Sequence, residues 1–176
     1  AFTLTDGALR MLVVLYFHQL GYSPLEIASL FLLYEFCGVI TNLIGGWLAA
    51  YIGLNKSMHL GLTLQIAALC MMLVEPEQLN ILYVMMAQAV SGIAKDLNKM
   101  SAKSSIKLLV PKDAQGKLYQ WIALLTGSKN TLKGIGFFLG GVLLSQFGFS
   151  AAISGMAVAL TLVLLVSFSL LREDLG

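Results

Sequence analysis

Ionisable side chains stand inside four of the most apolar stretches of this sequence. In a lipid-spanning helix each such group costs at least about 2.5 to 3.5 kcal/mol on insertion scales, so it usually faces a cavity or a partner and marks function. Five of the eight are cationic and three are carboxylates, a surplus that favours the binding of an anion. The eight residues are Asp6, Arg10, Glu35, Lys95, Asp96, Lys99, Lys129 and Lys133.

Four lysines, Lys95, Lys99, Lys103 and Lys107, recur at every fourth position, which places them on roughly one face of a helix. We expect Lys95 and Lys99 to bind substrate. Lys103 and Lys107 are expected at the lipid headgroups, with a cationic ramp into a cavity as the alternative. Lysine binds phosphate-like groups as a compact charge and arginine as a two-pronged donor, which favours a phosphate or carboxylate ligand. The predicted substrate-binding residues are Arg10, Lys95, Lys99, Lys129, Asn130 and Lys133.

The carboxylates Asp6, Glu35 and Asp96 have two interpretations. Each could exchange a proton when the cavity changes access, which would couple transport to a proton gradient. Each could equally neutralise a cation: Asp6 lies one helical turn before Arg10, and Glu35 could pair with Lys129. The sequence leaves both roles open.

Composition excludes a water-soluble globular protein. The chain has 176 residues, of which 58% are hydrophobic and 11% charged, and its mean hydropathy is +0.84. A net charge of +2 is too small for general nucleic-acid binding. The two cysteines stand in apolar runs and predict buried thiols, and no motif for ATP, dinucleotide, metal or ester chemistry occurs. We therefore expect no enzyme, no cofactor and no metal site.

Apolar stretches long enough to cross a bilayer divide the chain into six predicted membrane helices. Basic residues occur in alternate connections, at Lys56, around Lys112 and at Arg172, so these connections and the N-terminus are expected to be cytoplasmic. The ionisable residues occupy the first, second, fourth and fifth helices, which are expected to line an aqueous cavity while the third and sixth face lipid. The predicted helices cover residues of about 1–19, 24–52, 56–74, 79–109, 117–147 and 150–171. Pro24 indicates the start of the second helix, Gly53 its end and Pro111 the end of the fourth.

Glycines indicate an internal repeat. Gly45 and Gly46, followed by Gly53, parallel Gly140 and Gly141, followed by Gly148, at one constant offset. Because each copy would hold an odd number of helices, the two copies would insert with opposite orientations, a 3+3 construction typical of secondary transporters. Glycine pairs are also common wherever membrane helices pack closely, which is the alternative explanation.

Two motifs resemble those of the major facilitator superfamily. Residues 46–56, GWLAAYIGLNK, are similar to that family's loop GxLaDrxGrk, although Ala50 and Tyr51 replace the usual Asp and Arg. Residues 136–141, GFFLGG, are similar to the antiporter motif GPxxGG, with Phe137 in place of proline. The resemblance implies an all-α membrane protein in which these six helices form one half of a twelve-helix transporter, with a C-terminal half as partner.

Four segments carry a closer resemblance to one family, and they are Phe2–Arg10, Leu30–Phe36, Ser91–Lys103 and Thr126–Asn130. The resemblance is to the organoarsenical efflux permeases of the ArsJ type. It implies a bacterial inner-membrane (plasma membrane) protein that exports 1-arseno-3-phosphoglycerate, the product that glyceraldehyde-3-phosphate dehydrogenase forms from arsenate. Its partners would be this small anion and the lipid bilayer. A transporter or exchanger of ordinary phosphorylated or carboxylated metabolites is the alternative.

Overall fold

The computed structural model describes residues 1–110 and 115–170 of the chain. These residues are almost entirely helical, and no strand occurs among them. A short 3₁₀ turn, Pro76–Gln78, lies between the fourth and fifth helices. The helices are α1 (Phe2–Gln19), α2 (Pro24–Ser29), α3 (Leu32–Ile52), α4 (Leu54–Met71), α5 (Ile81–Leu109), α6 (Gln115–Phe147) and α7 (Phe149–Leu170).

The helix ends follow local turn chemistry. Ser23 caps α2 in a reciprocal capping box, in which its hydroxyl accepts from the Glu26 N–H and the Glu26 carboxylate accepts from the Ser23 N–H at 2.8 Å. Asn80 caps α5 by accepting from the Tyr83 N–H at 2.9 Å. Gly53 separates α3 from α4 with a φ of 92°, in the left-handed region that glycine adopts without steric cost.

The predicted continuous helix over 24–52 is interrupted in the structure. Leu30 and Phe31 form a turn between α2 and α3, where the Phe31 N–H bonds to the carbonyl of Ala28 at 3.2 Å in the tighter 3₁₀ pattern. No proline or glycine stands at this point, so the sequence carried no signal for the break. The expected stop at Pro111 and the orienting residues Lys112 and Arg172 lie outside the described residues.

The other helix limits differ from the expected ones by a few residues. The fourth helix begins directly after Gly53, at Leu54 rather than Lys56, and ends at Met71 rather than Val74. The helix expected from Leu79 begins at Ile81, because the 3₁₀ turn and the Asn80 cap take up the preceding residues. Helix ends routinely shift by one or two residues in this way.

Glycines allow close helix contacts, among them those of α1 with α6 and of α3 with α5. A Cβ on Gly140 of α6 would lie 2.5 Å from the Ala8 carbonyl oxygen of α1, so no larger residue fits. A Cβ on Gly46 of α3 would lie 3.3 Å from the Met100 side chain of α5. Both glycine pairs therefore lie at helix interfaces. An internal repeat and simple close packing of helices would both place them there, so the inverted repeat stays a prediction.

The apolar core lies between α1, α4, α5 and α7, away from most of the charged residues. Tyr16 of α1 stacks on Phe149 of α7 with ring centroids 4.1 Å apart. On α3 a row of large apolar side chains is exposed, including Phe36, Leu43 and Trp47. The completely buried members of the core include Leu12, Val13, Phe17, Leu69, Val84, Ile153 and Leu160.

Two stretches of the described chain, Pro24–Ile52 and Phe149–Leu170, are long and apolar enough to cross a membrane. The other long helices carry charged and polar side chains, such as Asp6 and Arg10 in α1, that lower their hydropathy. The number of six membrane spans therefore stays a prediction.

Candidate functional site

A cavity of about 370 Å³ lies between α1, α5 and α6, with one side chain of α4 at its wall. Its volume falls in the range of small-molecule sites. The second predicted helix was expected to line such a cavity, but the described lining includes no residue of α2 or α3. The lining residues are Phe2, Thr3, Asp6, Met58, Lys95, Asn98, Lys99, Ala102, Lys103, Leu125, Thr126, Lys129, Asn130 and Lys133.

Eight of the predicted site residues lie in the wall of this cavity or beside it. Six of them, Asp6, Lys95, Lys99, Lys129, Asn130 and Lys133, line the cavity. Arg10 lines a neighbouring cavity of about 390 Å³, beside apolar side chains of α1, α2 and α6. Glu35 reaches this region from α3 through its ion pairs.

Glu35 holds two cations together. The Arg10 guanidinium donates a hydrogen bond to Glu35 Oε1, and Lys95 Nζ lies 3.6 Å from Glu35 Oε2. Glu35 therefore has these two partners and not Lys129, the partner that the sequence allowed. Three helices, α1, α3 and α5, each contribute one member, so the network ties these helices to one another at one point.

Asp6 is buried, with 4% of its surface exposed, and accepts a hydrogen bond of 2.9 Å from the Tyr34 hydroxyl. The ion pair with Arg10 that the sequence allowed is not formed, since the ion pairs of the described residues do not include one to Asp6. A buried carboxylate needs a donor, because an unsatisfied polar group in an apolar interior is costly.

Tyr34 is the residue that sequence reasoning missed. Its side chain is completely buried, and the Arg10 guanidinium carbon and the Lys95 ammonium nitrogen each lie 4.2 Å from the centroid of its ring. A ring attracts cations at this distance through its quadrupole. The tyrosine precedes Glu35 directly, but which residues it contacts depends on how α1, α3 and α5 pack.

Asp96 neutralises the lysines on its own helix. Asp96 Oδ2 lies 3.8 Å from Lys95 Nζ, and its Oδ1 lies 3.6 Å from Lys99 Nζ. Its side chain is buried against Gly38 of α3, where a Cβ would lie 2.6 Å from Asp96 Oδ2. Asp96 therefore both balances charge and packs against α3.

Three lysines of the cavity, Lys103, Lys129 and Lys133, have no carboxylate oxygen within 4.0 Å in the described part of the chain. All three are half-buried. Lys103 was expected at the headgroups, but it lines the cavity, as the ramp interpretation of the lysine series allowed. Lys107, one turn further along α5, is exposed and is not part of the lining.

The prediction of two buried thiols was wrong, since Cys70 is exposed and Cys37 is half-buried. Among the described residues, no group of three or more histidine, cysteine, aspartate or glutamate side chains is placed to hold a metal ion. The chemistry on offer is electrostatic: ammonium groups, with hydroxyl and amide donors from Thr126, Asn98 and Asn130. Such a wall can hold an anion, and nothing in it resembles a nucleophile paired with a base.

Comparison with known protein families gives a match for this chain. The family model of the Major Facilitator Superfamily matches residues 1–175, almost the entire chain. A comparison with curated protein sequences returns no match.

Proposed function

Because the chain belongs to the Major Facilitator Superfamily, whose members are secondary transporters of the membrane and not enzymes, we propose that it carries a small organic anion. The observation that supports this is the wall of the cavity, where five lysines face a single carboxylate, Asp6, among the described residues. A surplus of one sign in a cleft with low-dielectric walls concentrates ligands of the opposite sign.

The neighbouring charges do not cancel this surplus. Glu35 and Asp96 add two carboxylates beside the cavity, and Arg10 adds one cation. Six cations then stand against three carboxylates, a balance that leaves a net attraction for an anion. In the alternating access of this family, such a site would open to each side of the membrane in turn.

We propose 1-arseno-3-phosphoglycerate as the cargo and efflux from a bacterial cytoplasm as the direction. Four segments that resemble ArsJ-type permeases support this, and two of them, Ser91–Lys103 and Thr126–Asn130, carry lysines of the cavity. The cargo bears a phosphate and an arsenate group, which suits a cationic wall. Glyceraldehyde-3-phosphate dehydrogenase would supply it, and a second six-helix half would close the pathway.

Asp6 is the proposed proton-coupling residue. Glu35 and Asp96 have ion-pair partners within 4.0 Å, whereas the described partner of Asp6 is the neutral Tyr34 hydroxyl. A buried carboxylate without a paired cation is the kind of group that can gain and lose a proton as solvent access changes.

The test is arsenic accumulation in arsenate-treated cells that express the full-length protein together with glyceraldehyde-3-phosphate dehydrogenase. We expect the native protein to lower accumulation and Lys129→Gln to abolish this effect at equal membrane expression. Lys107→Gln, which removes an exposed lysine outside the cavity, is the matched control and should behave as the native protein.

Unchanged accumulation with the native protein would contradict the arsenical cargo. The same variants would then be compared for uptake of phosphorylated metabolites into membrane vesicles. Lowered accumulation that persists in Lys129→Gln would keep the cargo but place its binding site elsewhere.

A further inference from the structure

The six cations of the site differ in whether a carboxylate already neutralises them. Arg10, Lys95 and Lys99 each lie within 4.0 Å of a carboxylate oxygen of Glu35 or Asp96. The other three have no such partner in the part of the chain that the structure describes, and they are Lys103, Lys129 and Lys133.

This difference decides which cations can attract a ligand. A paired cation must share or release its carboxylate before it can bind another anion, and that exchange cancels much of the electrostatic gain. An unpaired, half-buried cation offers its whole charge, screened less by salt than a fully exposed one. We propose, resting on the anion transport argued above, that Lys103, Lys129 and Lys133 form the anion seat, and that it takes a ligand with two separate anionic groups.

The surroundings of Lys129 favour the more strongly charged group. Lys129 shares the cavity wall with Lys99 and Lys103 of α5, and the positive charge of both acts on it. Lys133 has a balanced set of charged neighbours, two cations and two carboxylates, namely Arg10, Lys95, Asp6 and Glu35. The first anionic group of the ligand is therefore held between Lys103 and Lys129, where positive charge is least compensated.

The second group is held at Lys133. Lys129 and Lys133 are four residues apart on α6, a rise of about 6 Å along one face of the helix. Asn130 also lines the cavity and offers an uncharged donor in the same turn. A compact ligand with one anionic group at each end spans this distance, whereas a ligand with one group occupies only the Lys103 and Lys129 end.

Equilibrium binding to the purified full-length protein in lipid nanodiscs tests the seat. The probes are 3-phosphoglycerate, with a phosphate and a carboxylate, glycerol 3-phosphate, with a phosphate alone, and uncharged glycerol. Lys103→Gln and Lys129→Gln are expected to weaken the binding of both anions by about tenfold or more, because each variant loses a charge-assisted hydrogen bond. Lys133→Gln should weaken the binding of 3-phosphoglycerate by about tenfold and that of glycerol 3-phosphate by less than about threefold.

Three further variants complete the comparison. Lys129→Arg keeps the charge and should keep affinity for both anions within about threefold, which separates loss of charge from loss of folding. Lys107→Gln should match the native protein. Lys95→Gln, which removes a paired cation and leaves Glu35 with Arg10, should weaken the binding of either anion less than Lys129→Gln does.

The outcomes separate this inference from the proposed function. If the native protein binds neither anion more tightly than glycerol, anion transport and the seat are both overturned. Two other results would overturn the seat alone, provided that the native protein binds the anions. In one, Lys103→Gln and Lys129→Gln keep the same affinity as Lys107→Gln; in the other, Lys95→Gln loses as much affinity as Lys129→Gln. If Lys133→Gln loses the same affinity for both anions, the proposal that the ligand has two anionic groups is overturned.

Discussion

At the scale of single residues, Tyr34 contacts three of the ionisable residues of the site. Its hydroxyl donates to the buried Asp6, and its ring lies beside Arg10 and Lys95. We expect Tyr34→Phe to destabilise the protein by about 1 to 3 kcal/mol, because the ring stays while a buried carboxylate loses its donor. Thermal unfolding of the purified protein measures this loss.

The matched control for Tyr34→Phe is Tyr51→Phe, at the other end of α3. Tyr51 is exposed, and its ring stacks on Trp47, a contact that phenylalanine preserves. We expect its effect to stay within about 0.5 kcal/mol, as for most surface substitutions. Equal destabilisation in both variants would mean that the Asp6 hydrogen bond contributes nothing specific.

The variant Asp6→Asn tests the proposed proton coupling separately from anion binding. Asp6→Asn keeps the shape of the side chain and a hydrogen-bond acceptor for Tyr34 but cannot exchange a proton. We expect it to bind anions at least as tightly as the native protein, since the cavity loses negative charge, while accumulation against a gradient is lost. Proteoliposomes with and without an imposed pH gradient measure this, and gradient-driven transport in Asp6→Asn would contradict the coupling role.

At the scale of helices, glycine positions decide how closely α3 and α5 approach. A Cβ on Gly92 would collide with the backbone carbonyl of Tyr34. We therefore expect Gly92→Ala to separate the two helices and to cost about 1 to 3 kcal/mol, as overpacking does. Gly155→Ala on α7 meets no atom within 4 Å and should be neutral or slightly stabilising. Thermal unfolding compares the two, and equal stability would contradict the close contact.

Sequence reasoning predicted local features of these helices better than their contacts. Pro24 and Gly53 indicated helix ends because backbone constraints act within a few residues. The turn at Leu30 and Phe31 lacked such a signal. The sequence offered Lys129 as a possible partner of Glu35, whereas Glu35 lies beside Arg10 and Lys95. Ion-pair partners depend on how helices rotate and cross, which neither spacing along a helix nor composition determines.

At the scale of the whole molecule, the distribution of charged residues predicts one side that faces water and another that faces lipid. Asn130 lies at the cationic cavity, while Leu162 is exposed on α7, which the sequence predicts to face lipid. In a protein with Cys37 and Cys70 replaced by serine, Asn130→Cys should react with a charged, membrane-impermeant thiol reagent and Leu162→Cys should not, because lipid excludes both the reagent and the thiolate. Added 3-phosphoglycerate should slow the reaction at position 130, by occupying the cavity or by changing its access. Equal labelling at both positions would show that the exposed face of α7 contacts water and not lipid.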